Sequence, residues 1–143
     1  MSNADARRLA RELAEPHLQR LADDLPGVRA AILASSDGFE LVSVTVTELP
    51  LSQLSAMASA MQGLGDALAR ETGLERSRDI IVDSDLGKVV LMSIPGGPPP
   101  LVLMVVVTDQ SPFGQLLLQC RNCCVAIGND LKNRTSMPAS IAS

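Results

Sequence analysis

Three cysteines near the C-terminus have the residue type and spacing to support chemistry. Cys120, Cys123 and Cys124 could bind zinc or exchange disulfides as thiolates. A structural zinc site needs a fourth ligand, and the single histidine, His17, lies more than one hundred residues away in the chain. At 100° per residue, the cysteines share one helical arc with five apolar residues, Phe113, Leu116, Leu117, Ile127 and Leu131. The pattern therefore predicts buried thiols that act as small hydrophobic side chains.

Other short patterns resemble ligand-binding motifs but lack required residues. Asp83-Ser84-Asp85 begins like a calcium loop, yet Gly87 and Lys88 occupy the next ligand and glycine positions. Gly63-Leu64-Gly65 lies inside a helical pattern, whereas a dinucleotide-binding loop follows a strand. We interpret His17 as a partly exposed helix residue. The sequence thus predicts no enzyme activity, no cofactor and no metal site.

The composition excludes several classes of partner. The chain carries 12 basic and 16 acidic side chains, with two Phe and neither Trp nor Tyr, so it lacks the basic, aromatic surface of nucleic-acid readers. Its longest apolar run, Leu101–Val107, is far shorter than the roughly 20 residues of a membrane-spanning helix. An odd number of clustered cysteines is typical of a reducing compartment. We expect a cytoplasmic protein that does not bind nucleic acid and has no membrane span.

Hydrophobic periodicity and turn residues place three helices and five strands. The first helix ends near Leu25, and the sequence leaves open whether Pro16 kinks or starts it. The later predicted elements are strands at Val28–Ala34 and Val42–Val46, a helix at Ser52–Thr72, strands at Ile80–Val82, Val89–Ile94 and Leu101–Thr108, and a helix at Ser111–Leu131. Short links between the strands predict an α/β (α+β) fold with a five-stranded, mainly antiparallel sheet. We expect one domain over residues 1–132 and a disordered tail over 133–143.

The central helix carries two apolar stripes. The larger stripe, predicted to face the sheet, comprises Leu54, Met57, Met61, Leu64 and Leu68. The second stripe has small side chains, Ala56, Ala60, Gly63 and Ala67, and the arc predicted to face water contains Ser55, Ser59, Gln62, Asp66 and Arg70. A helix that rests on one sheet needs one apolar stripe, so the small stripe predicts a second helix at close approach. The alternative is that alanine is simply a good helix former.

Four pieces of sequence, in this order, together resemble one known family. They are Leu25-Pro26-Gly27-Val28-Arg29, Ser35-Ser36-Asp37-Gly38-Phe39, the helix from Met57 to Leu68, and Val107-Thr108-Asp109 leading into Phe113-Gly114. From about Asp5 to Leu131, the chain resembles the Roadblock/dynein light chain family, which includes the bacterial gliding-motility B proteins.

The resemblance implies a sheet with the central helix on one face and the terminal helices on the other. It also implies a homodimer made by paired central helices and by the strand edge at Ile80, Ile81 and Val82. Family members bind small Ras-like GTPases as activators or scaffolds, or act as adaptors, without catalytic residues of their own. We therefore expect a homodimeric GTPase regulator or scaffold. The alternative is a small-molecule-binding sensory domain, because antiparallel sheets flanked by helices also enclose ligand pockets.

Overall fold

The structure is a computed structural model that describes residues 3–94 and 100–135 of the chain. These residues form the elements α1 Asn3–Asp24, β1 Val28–Ser35, β2 Glu40–Thr45, α2 Leu51–Glu71, β3 Asp79–Ser84, β4 Gly87–Ile94, β5 Leu101–Thr108 and α3 Phe113–Thr135. This is the predicted order of helices and strands. Strand β5 has the predicted bounds. Strand β1 ends one residue later than predicted, β2 begins and ends earlier, β3 extends further at both ends, and β4 begins earlier.

The five strands form one antiparallel sheet in the order β2-β1-β5-β4-β3. The central strands β1 and β5 are apolar along nearly their whole length, and almost all of their residues are buried. A strand with two apolar faces needs a cover on both sides. Helices therefore pack on both faces of this sheet, which confirms the predicted fold class.

Two helix layers enclose the sheet and divide the core into two unequal parts. On one face, α1 and α3 pack over a large cluster that includes Leu18, Leu103 and Ile127. On the other face, α2 alone covers a smaller cluster that includes Ile32 and Leu91. Because α2 lies mainly over β1, β2 and β5, Ile80 of β3 and Val89 of β4 are only partly buried on this face, whereas Leu91 of β4 is fully buried.

The helix ends differ in part from the predictions. Helix α1 continues through Pro16, so this proline does not start the helix. Helix α2 begins at Leu51 with Pro50 as its cap and without a side-chain cap bond, so Ser52, the predicted first residue, lies inside the first turn. Gly73, just beyond the end of α2, has a φ of 75°, the left-handed conformation that commonly ends a helix.

Helix α3 extends to Thr135, beyond the predicted end at Leu131. The remaining tail, residues 136–143, lies outside the described residues. The domain boundary at residue 132 stays a prediction.

Candidate protein-interaction surface

Helix α2 is rotated relative to the sequence prediction. Ser55 and Gln62, predicted to face water, are buried against the sheet together with Ala58. Met57, Leu64 and Leu68, predicted to face the sheet, are instead exposed. Of the predicted core stripe, only Leu54 and Met61 pack against the core. The assignment of the larger stripe to the sheet is therefore wrong for its other three members.

Local hydrogen bonds explain how polar side chains occupy the buried side of α2. Ser55 Oγ donates to the Leu51 carbonyl one turn earlier at 2.8 Å. Gln62 Nε2 donates to the Ser77 carbonyl at 3.2 Å, and Asp66 Oδ1 accepts from the Ser77 amide at 3.0 Å. Burial of a polar group is tolerated when it is hydrogen-bonded, so these bonds allow Ser55 Oγ and Gln62 Nε2 to lie away from water.

The rotation places the small stripe of α2, together with Met57, Leu64 and Leu68 of the larger stripe, on the outer surface of the chain. Ala56, Ala60 and Gly63 are exposed, and Ala67 is half-buried. Beside them, Leu64 is 72% exposed and Leu68 is 66% exposed. The outward-facing residues of the two stripes thus form one continuous apolar surface. We call this surface the α2 outer face, and it comprises Ala56, Met57, Ala60, Gly63, Leu64, Ala67 and Leu68. Such a patch is typical of a surface that binds another protein.

Strand β3 is an edge strand next to this surface. Ile80 is half-buried, Ile81 is 39% exposed and Val82 is 36% exposed. The Ser93 amide donates to the Arg78 carbonyl at 3.3 Å, so Arg78 directs its carbonyl toward the β4 side. Backbone groups alternate in direction along an antiparallel strand.

The alternation divides the β3 backbone into two sets. Ile80 and Val82 direct their amides and carbonyls toward β4, whereas Asp79, Ile81 and Asp83 direct theirs to the free edge. Three residues therefore present unpaired backbone groups that another strand could bind.

A shallow groove connects the α2 outer face to β3. Its volume is about 700 Å³, and its walls include Leu64, Leu68, Leu74 and Ile80. The chain leaves this groove open because α2 lies mainly over the other half of the sheet. Of the sequence-predicted interface residues, Ile80 lines this groove, and the four α2 residues lie on the neighbouring outer face of the helix.

Side chains on the two faces of β3 differ in character. Ile80 packs toward α2. Asp79 points to the α3 side, where it accepts a hydrogen bond from Arg121 at 2.9 Å. Lys88 on β4 forms an ion pair with Asp83 at 3.2 Å, and its ammonium lies 5.8 Å from the centre of the Phe113 ring. Asp79 and Asp83, the two carboxylates of β3 on the α3 side, thus each have a basic partner.

Comparison with known proteins gives the family. The Roadblock/LC7 domain profile matches residues 13–97, more than half of the 143-residue chain. The chain belongs to the Roadblock/LC7 domain family. No curated protein matches its sequence.

Solved structures share the fold of this Roadblock/LC7 domain at low sequence identity. Gliding protein MglB from Thermus thermophilus has a TM-score of 0.77 and 19% identity, over 87% of this chain and 92% of that chain. An MglB structure described as a tetrameric arrangement gives the same TM-score of 0.77 and 19% identity, over 87% of this chain and 91% of that one. A Roadblock/LC7 domain from Streptomyces avermitilis has a TM-score of 0.74 and 17% identity, over 82% and 96% of the two chains.

The cysteines of this Roadblock/LC7 domain are buried, as predicted. All three thiols are free and face the core between α3 and the sheet. Burial raises the pKa of Cys120 to about 12 and that of Cys123 to about 11. Burial also raises the pKa of Cys124. Thiols in this state are poor nucleophiles at neutral pH. The predicted position of Phe113 in the core is wrong, because this side chain is 44% exposed at the start of α3.

His17 of the Roadblock/LC7 domain joins two helices. Its Nε2 lies 2.7 Å from Asp130 Oδ2, which links α1 to α3, and its side chain is mostly buried. Sequence alone gave no sign of this pair. No cluster of His, Cys, Asp and Glu able to hold a metal ion occurs in residues 3–94 and 100–135. Within the same described ranges, no helix combines the length and apolar character needed to cross a bilayer.

Proposed function

We propose that this chain is a cytoplasmic, non-catalytic homodimer that binds a small Ras-like GTPase as a regulator or scaffold. Membership of the Roadblock/LC7 domain family supports the class of function. The observation that carries the proposal is the α2 outer face beside the free edge of β3. A chain with large exposed leucines next to an unpaired strand is suited to bind protein and not to catalyse a reaction.

A second copy fits this surface because the surface can pair with itself. The small side chains of Ala56, Ala60 and Gly63 allow two helices to approach closely, and the larger Leu64 and Leu68 can fill the adjacent groove. A two-fold axis brings the same patch of both copies together, which is the commonest arrangement in homo-oligomers. Of the predicted interface residues, Ala56, Ala60, Gly63 and Ala67 belong to the α2 outer face, and Ile80, Ile81 and Val82 belong to the neighbouring edge strand β3.

Two matched glycine substitutions test the dimer. A Cβ added at Gly63 or at Gly114 would meet no atom within 4 Å, so both Gly63→Leu and Gly114→Leu should fold. Only Gly63 lies on the α2 outer face. Sedimentation should show that wild type and Gly114→Leu are dimers at micromolar concentration and that Gly63→Leu is a monomer. A monomeric wild type, or a dimeric Gly63→Leu protein, would show that the interface is assigned wrongly.

Gly65 provides a second control for this experiment. A Cβ at Gly65 would lie 2.9 Å from Ile80 Cδ1 and 3.1 Å from Ser77 Oγ of the same chain. We therefore expect Gly65→Leu to destabilise the fold itself, with a lower melting temperature and loss of helical signal. Loss of the dimer without loss of fold is expected only at Gly63.

Binding of a GTPase is tested separately from dimer formation. The probe is a Ras-like GTPase from the same cells, loaded with GDP or with a non-hydrolysable GTP analogue. We expect the wild-type dimer to bind one loaded form more tightly, and Gly63→Leu to bind more weakly if both copies contribute to the contact. Measurement of GTP hydrolysis with and without the dimer then separates an activator from a scaffold. No binding in either nucleotide state would overturn this part of the proposal.

A polar cavity favours the second candidate, a small-molecule-binding domain. The cavity has a volume of about 320 Å³ and is lined in part by Ser59, Gln62, Asp66 and Arg76. Gln62 Oε1 is buried and has no hydrogen-bond partner among the described residues. Thermal stabilisation by a metabolite, lost in Gln62→Leu but retained in the exposed-surface variant Gln53→Leu, would support this candidate. Equal melting temperatures across a broad metabolite panel would count against it.

A further inference from the structure

We propose that two copies pair their β3 strands in a single antiparallel register, with Ile81 opposite the partner's Ile81. In this register, Arg121 and Lys88 neutralise carboxylates that would otherwise repel each other across the junction. The inference rests on the proposed homodimer and goes further, because it fixes which residues meet and which charges the interface requires. We call this junction of the two β3 strands the β3 seam.

The backbone restricts the possible registers. Only Asp79, Ile81 and Asp83 present free amides and carbonyls at the edge, since Arg78 bonds toward β4 and the direction alternates. An antiparallel ladder places outward-directed residues opposite outward-directed residues. The two residue numbers of every opposed pair must therefore both be odd or both be even.

The helix layer gives the same restriction independently. If the two α2 helices pack together, they lie on the same face of the joined sheet, and the two-fold axis is perpendicular to that sheet. With this axis, a given residue points to the same face of the joined sheet in both copies. Opposed residues also share a face, so side-chain direction again requires both numbers to be odd or both to be even.

Side-chain chemistry selects one of the remaining registers. With Ile81 at the axis, Ile80 lies opposite the partner's Val82, and all three apolar residues of the strand meet apolar residues. With Ile80 at the axis, Ile81 lies opposite the partner's Asp79. With Val82 at the axis, Ile81 lies opposite the partner's Asp83. Of the three registers centred on Ile80, Ile81 or Val82, only the one centred on Ile81 avoids placing a carboxylate directly opposite an isoleucine.

The selected register has an electrostatic consequence. Asp79 lies opposite the partner's Asp83 on the α3 side of the sheet, and the symmetry repeats this contact. Like charges directly opposite each other destabilise a sheet. Within each chain, however, Arg121 contacts Asp79 at 2.9 Å and Lys88 contacts Asp83 at 3.2 Å. The two basic side chains therefore act as charge-compensating residues for the seam.

Cysteine substitutions can measure the register. Residues of a hydrogen-bonded antiparallel pair have Cα atoms about 5.5 Å apart, which a disulfide can bridge. The three single variants Ile80→Cys, Ile81→Cys and Val82→Cys are oxidised and compared with the wild-type chain, whose own thiols are buried. Only Ile81→Cys should form a covalent dimer rapidly, because the other two positions lie more than about 7 Å from their copies.

The outcomes of this experiment are distinct. A faster crosslink at Ile80 or Val82 than at Ile81 would overturn the register. A dimer in sedimentation that gives no crosslink at any of the three positions would overturn the β3 seam but not the homodimer. A monomeric wild type would overturn the proposed homodimer and the seam together.

Charge substitutions test the compensating role. At low salt, Lys88→Gln or Arg121→Gln should weaken dimerisation by about fivefold for each newly opposed carboxylate pair. Asp79→Asn added to Arg121→Gln should restore the affinity, as should raised salt, which screens exposed charges. If Arg121 only stabilised the fold of its own chain, neither change would restore the dimer affinity. Arg8→Gln, which removes an exposed charge on α1, should leave the dimer unchanged.

Failure of the rescue would overturn the compensating role. Equal affinities of wild type, Lys88→Gln and Arg121→Gln at low salt would do the same. Circular dichroism on each variant shows whether the chain is folded, so that a weakened dimer is not confused with an unfolded chain.

Discussion

The carboxylate of Asp66 on α2 accepts a hydrogen bond from the Ser77 backbone amide at 3.0 Å, two residues before β3 begins. This bond fixes the loop between α2 and β3, which are the two elements of the proposed interface. Asp66→Ala should increase the exchange rate of the Ser77 amide about tenfold, as expected for loss of one charge-assisted bond. Asp66→Asn, which retains an acceptor oxygen, should have a smaller effect. Equal exchange in all three proteins would contradict this role.

The contact between His17 and Asp130 should stabilise the packing of α1 on α3. The His17 side chain is 16% exposed, so its hydrogen bond is partly shielded from water. We expect His17→Ala to lower the free energy of unfolding by roughly 1 kcal/mol in urea denaturation. Gln19→Ala removes an exposed hydrogen bond to Asp23 in the same helix and should cost less. A larger loss at Gln19 than at His17 would show that the helix contact is unimportant.

The thiols should be unreactive in the native protein. Cys120, Cys123 and Cys124 are buried in the cluster between α3 and the sheet, which blocks reagents and disfavours the thiolate. A thiol reagent at neutral pH should therefore modify none of them until the chain is unfolded. Rapid modification of two or more thiols without unfolding would refute the placement of this helix face.

Cys120→Ala should lower the free energy of unfolding by about 1 kcal/mol through lost packing.

The same thiols should make the protein less stable at alkaline pH. In the unfolded chain, thiols ionise near their ordinary pKa of 9.0, whereas burial raises the pKa of Cys120 to about 12 in the folded chain. The folded state then retains protons that the unfolded state loses, so the free energy of unfolding should fall as pH rises from about 9 to about 12. Urea denaturation across this range should show a shallower fall for Cys120→Ala. Identical pH dependence in the two proteins would be evidence against this explanation.

The sequence predicted the order of elements and the character of α3 because these properties depend on neighbouring residues. Alternation of side chains in β2 and the continuous apolar run of β5 identify strands from local pattern alone. The shared arc of Cys120, Leu116 and Ile127 identified a buried helix face, and the structure confirms it. The pattern of α3 has a single apolar direction, so this helix has a single stable orientation against the core.

The tertiary structure decided the rotation of α2 and the exposure of β3. Helix α2 has two apolar stripes, and its sequence cannot show which of them meets the sheet. Ser77, which lies outside the helix, hydrogen-bonds Gln62 Nε2 through its carbonyl and Asp66 Oδ1 through its amide, and these bonds allow the polar side to face inward. The contact of His17 with Asp130 likewise joins residues 113 positions apart, which no local pattern can reveal. Local periodicity determines where a helix or strand forms, but its orientation depends on hydrogen-bond partners that only the folded chain brings near.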